Sequence, residues 1–121
     1  MDELIARLVA KVGIDQAVAQ KAVAIIFDFL SKEGPPDKVK ALLDRLPGAE
    51  QFMQAHAGEG GGGMFTMGGL MGAGTKMMAA GLSMGQVQGV TRDVIAYARE
   101  KAGDEVIGEV VGAIPGLSQF V

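Results

Sequence analysis

The chain states one short pattern twice, and this fixes its architecture more than any other feature. Residues 46–53, Leu-Pro-Gly-Ala-Glu-Gln-Phe-Met, return as residues 114–121, Ile-Pro-Gly-Leu-Ser-Gln-Phe-Val. The offset is 68 (115 − 47). Carried back without a gap, it also pairs Gly13 with Gly81 and Gln20 with Gln88. Residues 13–53 against 81–121 give six identities in 41 pairs. That is only about twice chance for ordinary residue frequencies, so the count alone decides little. Two features add to it. Four of the identities (Pro47/Pro115, Gly48/Gly116, Gln51/Gln119, Phe52/Phe120) fall in one run of six residues. Other pairs match in character: Ile14/Leu82, Ile26/Val94, Phe27/Ile95, Phe29/Tyr97, Val39/Ile107, Leu42/Val110, Leu43/Val111 and Leu46/Ile114. Apolar positions that recur in phase are what two copies of one packing unit require.

Each copy reads as helices. In Asp2–Val12, the residues Leu4, Ile5, Leu8, Val9 and Val12 recur at three- and four-residue spacing, with Arg7 and Lys11 outward. Gly13 suits the left-handed residue that closes this helix, and Asp15 is placed to cap the next. Gln16 to Glu33 is apolar over most of its circumference, which predicts a central helix covered on several sides. Gly34-Pro35-Pro36 stops it. Asp37 is then expected to cap a short helix with Val39, Leu42, Leu43 and Leu46 inward. Residues 49–54 predict one further turn, pinned by Phe52.

Residues 55–63 read as a glycine-rich linker, where backbone entropy opposes folding. Residues 64–80 predict a helix held by packing rather than by propensity. Glycines 68, 69, 72 and 74 each cost roughly 1 kcal/mol relative to alanine. Ser83 and Gln86 fit a capping box for a second long helix running to Ala102. Residues 105–113 then predict the second short helix. The expectation is an all-α single domain over residues 1–121. Two helical units, 1–54 and 69–121, pack as a pseudo-twofold bundle with the long helices at its centre.

Composition removes several function classes. There is no cysteine, hence no disulfide or thiolate chemistry. A net charge of −3 argues against a partner held through phosphate contacts, so no nucleic acid is expected. The longest uncharged stretch, residues 60–75, is too short and too rich in glycine for an integral membrane segment. The acidic start Met1-Asp2-Glu3-Leu4 lacks the basic region of a signal peptide, which makes the cytoplasm the expected location.

The order of motifs is Val-Gly-Ile-Asp opening a long helix, Leu-Pro-Gly closing a unit, a glycine-rich bridge, Gly-Leu-Ser, then Gly-Asp-Glu-Val. It resembles the small bacterial proteins of unknown function described as VcgC/VcgE-type. The first unit is also similar to a broader group of bacterial helical domains. The resemblance implies a helical fold and leaves an envelope location open. It supplies no activity and no catalytic residue.

Candidate chemistry is sparse. His56 is the only histidine, and Glu50 and Glu59 are its nearest carboxylates in the sequence. A catalytic or ligating role needs partners converging on it, so a solvated loop histidine is the simpler reading. Gly74-Thr75-Lys76 lacks the order and the preceding strand of a phosphate-binding loop. Asp104, Glu105 and Glu109 are candidates for a paired acid/base site, but Asp104 and Glu105 sit at a helix start, where the dipole explains them without catalysis. The Pro-Gly-x-x-Gln-Phe turns present Gln51 and Gln119 either as paired recognition elements or, more simply, as parts of a structural motif. In that motif Pro47, Gly48, Pro115 and Gly116 shape the turn and Phe52 and Phe120 anchor it.

Six of the eight methionines lie between Met64 and Met84, so the segment that differs most between the copies is also the most methionine-rich. Methionine adapts to irregular apolar partners. Met64, Met67, Leu70, Met71, Met77 and Met78 are therefore the candidate surface for a protein partner, for a second copy of the chain, or for an apolar small molecule held between the units. An ordinary core helix that needs glycine for clearance is the competing reading. No catalytic, metal or cofactor site is expected. The function expected is that of a non-enzymatic interaction or scaffold protein, with a carrier of a hydrophobic molecule as the alternative.

Overall fold

In the computed structural model, residues 2–46, 48–55 and 69–114 are described. Among them the chain is all-α, with seven helices and no strand. These are α1 (Asp2–Val12), α2 (Gln16–Glu33), α3 (Pro36–Arg45), α4 (Ala49–Ala55), α5 (Gly69–Ala79), α6 (Met84–Ala102) and α7 (Asp104–Ala113). No helix among the described residues is long and apolar enough to cross a membrane.

The core follows from the two long helices. In α2, every residue from Ala22 to Phe27 is buried, together with Ala19, Phe29 and Leu30. Such a helix needs cover on all sides, and α1, α3, α4, α5 and α6 supply it. In α6 the buried set is Val87, Val90, Thr91, Val94, Ile95, Tyr97, Ala98 and Ala102. The Thr91 hydroxyl is satisfied locally by donating to the Val87 carbonyl at 2.9 Å. Helix α1 packs on both α2 and α6, and α5 does the same from the opposite half of the chain. Helices α3 and α7 pack on each other, and each packs on the long helix before it. Helix α3 also leans on α6, where the Arg45 guanidinium donates to the Ala102 carbonyl at 2.7 Å. That carbonyl is among the last of α6, which the helix itself leaves unsatisfied.

Helix ends follow the sequence in most places. Gly13, Gly48, Gly81 and Gly103 all have positive φ. Ser83 accepts from the Gln86 amide at 3.2 Å while the Gln86 side chain accepts from the Ser83 amide at 2.9 Å, so the capping box is real. Two expectations need correction. Asp15 flanks α2 but makes no side-chain capping bond. Helix α3 starts at Pro36 with Pro35 flanking it, and Asp37 lies inside the first turn. Proline is at home there because first-turn amides have no helical partner to lose.

Candidate functional site

The methionine- and glycine-rich segment divides in the structure. Met64 and Met67 lie outside the described residues. Leu70 and Met71 fall in α5. Met77 is 1% exposed and belongs to the core. It thus takes the ordinary core role that the sequence left open, and it is removed from the candidate contact surface. Met78 is 48% exposed, and Met84, at the start of α6, is 60% exposed. With Val9 they are the large apolar side chains most open to water among the described residues.

The turn between α5 and α6 sets these two methionines. The Leu82 amide donates to the Met77 carbonyl at 3.2 Å, and the Gly81 amide donates to the Met78 carbonyl at 3.1 Å. With Gly81 at φ 112, this is a Schellman closure. The two apolar residues that flank such a closure, Met77 and Leu82, are both buried in the core. The closure directs Met77 inward and leaves its neighbour Met78 outside. The capping box then starts α6 at once, so Met84 emerges one turn of chain later. A Cβ placed on Gly74, Gly81 or Gly85 would meet nothing within 4 Å among the described residues.

A groove runs between α2 and α5. Among the described residues Lys21, Ile25, Lys76, Ala79 and Ala80 line it, and it is an open, shallow depression of about 440 Å³. Lys21 and Ile25 were not singled out in the sequence. At the offset of 68, Lys76 stands opposite the buried Leu8 and Ala80 opposite Val12.

On the opposite side, α1 meets α6 through a charged clamp over Tyr97, which is 2% exposed. The Arg7 guanidinium lies 5.6 Å from the ring centroid and the Lys101 ammonium 5.7 Å from it. Arg7 also pairs with Glu100 at 2.8 Å and with Glu3 at 3.4 Å. Burial pushes the Tyr97 phenol above its ordinary value; Glu3 adds to this and Arg7 opposes it. The hydrogen bond from Arg7 holds Glu100 below the usual carboxylate range. The signs set a pH window. Because the Glu100 carboxyl is more acidic when folded, its contribution is present above about pH 4.3 and is lost as pH falls through the depressed folded value. Because Tyr97 holds its proton more tightly when folded, stability falls as pH rises beyond about 10. Tyr97 is the only tyrosine and there is no tryptophan, so absorbance at 295 nm reports this site alone. The titration midpoint is expected above about 10 in the native protein and at about 10 in strong denaturant. Equal midpoints would show that the ring is not held as described.

The remaining candidates do not assemble chemistry. Asp104 pairs with Arg99 at 3.3 Å and Glu109 with Lys38 at 2.8 Å, so each carboxylate has a cation as its partner. His56, Pro47, Pro115, Gly116, Gln119 and Phe120 lie outside the described residues. Gly48 has φ 76, Gln51 is exposed, and Phe52 is half-buried against the core, as an anchor should be. Among the described residues no group of three or more His, Asp or Glu is placed to hold a metal ion.

No family model matches the chain, and no curated protein or solved structure matches it. The functional reading therefore rests on the residues above.

Proposed function

We propose that the chain is a non-enzymatic interaction or scaffold protein, built from two copies of one helical unit, that self-associates through the α5–α6 corner. The duplication draws support from register. Adding 68 to the bounds of α1, α2 and α3 gives 70–80, 84–101 and 104–113, against 69–79, 84–102 and 104–113 for α5, α6 and α7. Exchanging α1 with α5, α2 with α6 and α3 with α7 also maps the helix contacts onto one another. The exception is α3 on α6, which has no equally extensive counterpart.

The observation that carries the self-association is the exposure of Met78 and Met84 beside glycines 81 and 85. Two adaptable thioether side chains on a surface without neighbouring Cβ bulk allow close approach of a second backbone. The chain mass is 12.5 kDa. Light scattering coupled to gel filtration is expected to give about twice that mass for the wild type. Met78→Asp with Met84→Asp is expected to give the single-chain mass with unchanged helical circular dichroism, because both positions are exposed. A wild-type monomer at every concentration tested would remove this reading.

A second reading, a carrier of a hydrophobic molecule held between the units, is favoured by the α2–α5 groove. Its two walls come from different units, and its volume falls within the range of small-molecule sites.

A further inference from the structure

The α5–α6 corner sorts three methionines by their access to water. Met77 is buried in the core, while Met78 and Met84 are exposed. The backbone imposes this sorting. The amides of Leu82 and Gly81 close α5 on the carbonyls of Met77 and Met78, and the Ser83–Gln86 capping box starts α6 at Met84. Met77 and Met78 are adjacent in one helix, so the buried residue is an internal reference for the reactivity of the exposed one.

Composition directs oxidants to the thioethers. The chain has no cysteine, so no thiolate competes for a two-electron oxidant, and methionine is the side chain such an oxidant converts. In that reaction a sulfur lone pair attacks one oxygen of a peroxide. The S–O bond forms, the O–O bond breaks, and the second oxygen leaves with both hydrogens as water. Sulfur is oxidised to the sulfoxide and the peroxide is reduced. The product is polar, and susceptibility follows exposure. At an exposed position the new oxygen is solvated and the fold is undisturbed. Within an apolar contact the same oxygen must give up its water.

We propose that Met78 and Met84 are a modification site for peroxide-class oxidants, and that their conversion to sulfoxides releases self-association through the α5–α6 corner. The inference rests on the self-association reading and adds its regulation. The contact covers both thioethers, so the oxidant reaches them in the dissociated chain. Each oxidised chain is then withdrawn from the association equilibrium by mass action. Reduction of the sulfoxides, which takes one reductase for each epimer, returns it.

The test treats the dilute intact chain with limited hydrogen peroxide. Peptide mass spectrometry follows each methionine, and light scattering after reconcentration follows the mass. Met78 and Met84 are expected to take up oxygen more than about tenfold faster than Met77. The oxidised chain is expected to associate more than about tenfold more weakly, with unchanged helical circular dichroism, and the two sulfoxide reductases to restore the doubled mass. Met78→Leu with Met84→Leu keeps the apolar volume without the thioethers. That variant is expected to associate as the wild type does and to keep the doubled mass after the same treatment. Oxidation of Met77 as fast as Met78 and Met84 overturns the site. A doubled mass kept by the oxidised wild type, or lost equally by the leucine variant, overturns the regulation and leaves the self-association reading in place. A single-chain mass before any oxidant is added overturns the self-association reading and the regulation together, while the order of oxidation rates still decides the site.

Discussion

Truncating Tyr97 to alanine is expected to lower folding stability by about 3–5 kcal/mol, measured by denaturant unfolding followed in the far-ultraviolet circular dichroism. Tyr97 is the largest of the fully buried side chains, and it sits where α1 crosses α6. Its loss removes the apolar area of the ring and leaves a cavity that the surrounding helices cannot fill by a rotamer change. The charged groups above it contribute less. Glu3, Glu100 and Lys101 are substantially exposed, and ion pairs of that kind contribute roughly 0–1 kcal/mol each. The ring is also the surface on which the Arg7 and Lys101 cations rest, so its removal ends two contacts that survive in Tyr97→Phe. The phenylalanine variant is therefore expected to keep most of the stability. A domain of this size has only about 5–15 kcal/mol in total, so the alanine variant should approach the edge of folding. A loss under about 1 kcal/mol would mean that α1 does not close over this ring.

The same side chain shows which parts of the fold are legible in the sequence. Tyr97 stands opposite Phe29 at the offset of 68, and both are buried. The long helices, the capping box at Ser83 and Gln86, and the glycines that end helices all depend on residues within about one turn of each other, and they read correctly. Two local readings failed as well, since Asp15 makes no capping bond and Asp37 lies inside the first turn of α3; the other misses depend on distant partners. Val9 and Met77 occupy the same register position, yet Val9 is 37% exposed and Met77 only 1%. Leu8 and Lys76 are reversed in the same sense, with Leu8 fully buried and Lys76 half-buried. At these two positions the buried side of α5 is displaced by one residue from that of α1. A helix with few large apolar residues does not fix its own rotation; the surface it packs on does. The α2–α5 groove follows from that rotation, which is why neither Lys21 nor Ile25 stood out before the helices were placed.

Gly34 gives the sharpest contrast between two substitutions of the same kind. It lies in the link from α2 to α3, buried, with its amide donating to the Leu30 carbonyl at 2.8 Å. Its φ of −86 is open to any residue, so backbone strain is not the obstacle. Space is the obstacle. A Cβ there would lie 2.8 Å from the Leu30 carbonyl oxygen and 2.8 Å from Val39 Cγ2, with Val110 Cγ1 at 3.6 Å. The valine could rotate, but the carbonyl belongs to the last turn of α2 and cannot move without it. Gly34→Ala is expected to destabilise by about 1–3 kcal/mol, with Gly34→Val at or beyond the upper end. Against this, alanine gains only about 0.4–1 kcal/mol from restricting the unfolded chain, so overpacking wins. Gly108, inside α7, is the reverse case. A Cβ there meets nothing within 4 Å, and the backbone is already helical. Gly108→Ala is expected to stabilise by up to about 1 kcal/mol. Denaturant midpoints of the two alanine variants should therefore move in opposite directions from wild type. If Gly34→Ala were neutral or stabilising, the close approach of α3 to the end of α2 would be wrong, and with it the path that brings α3 against α7.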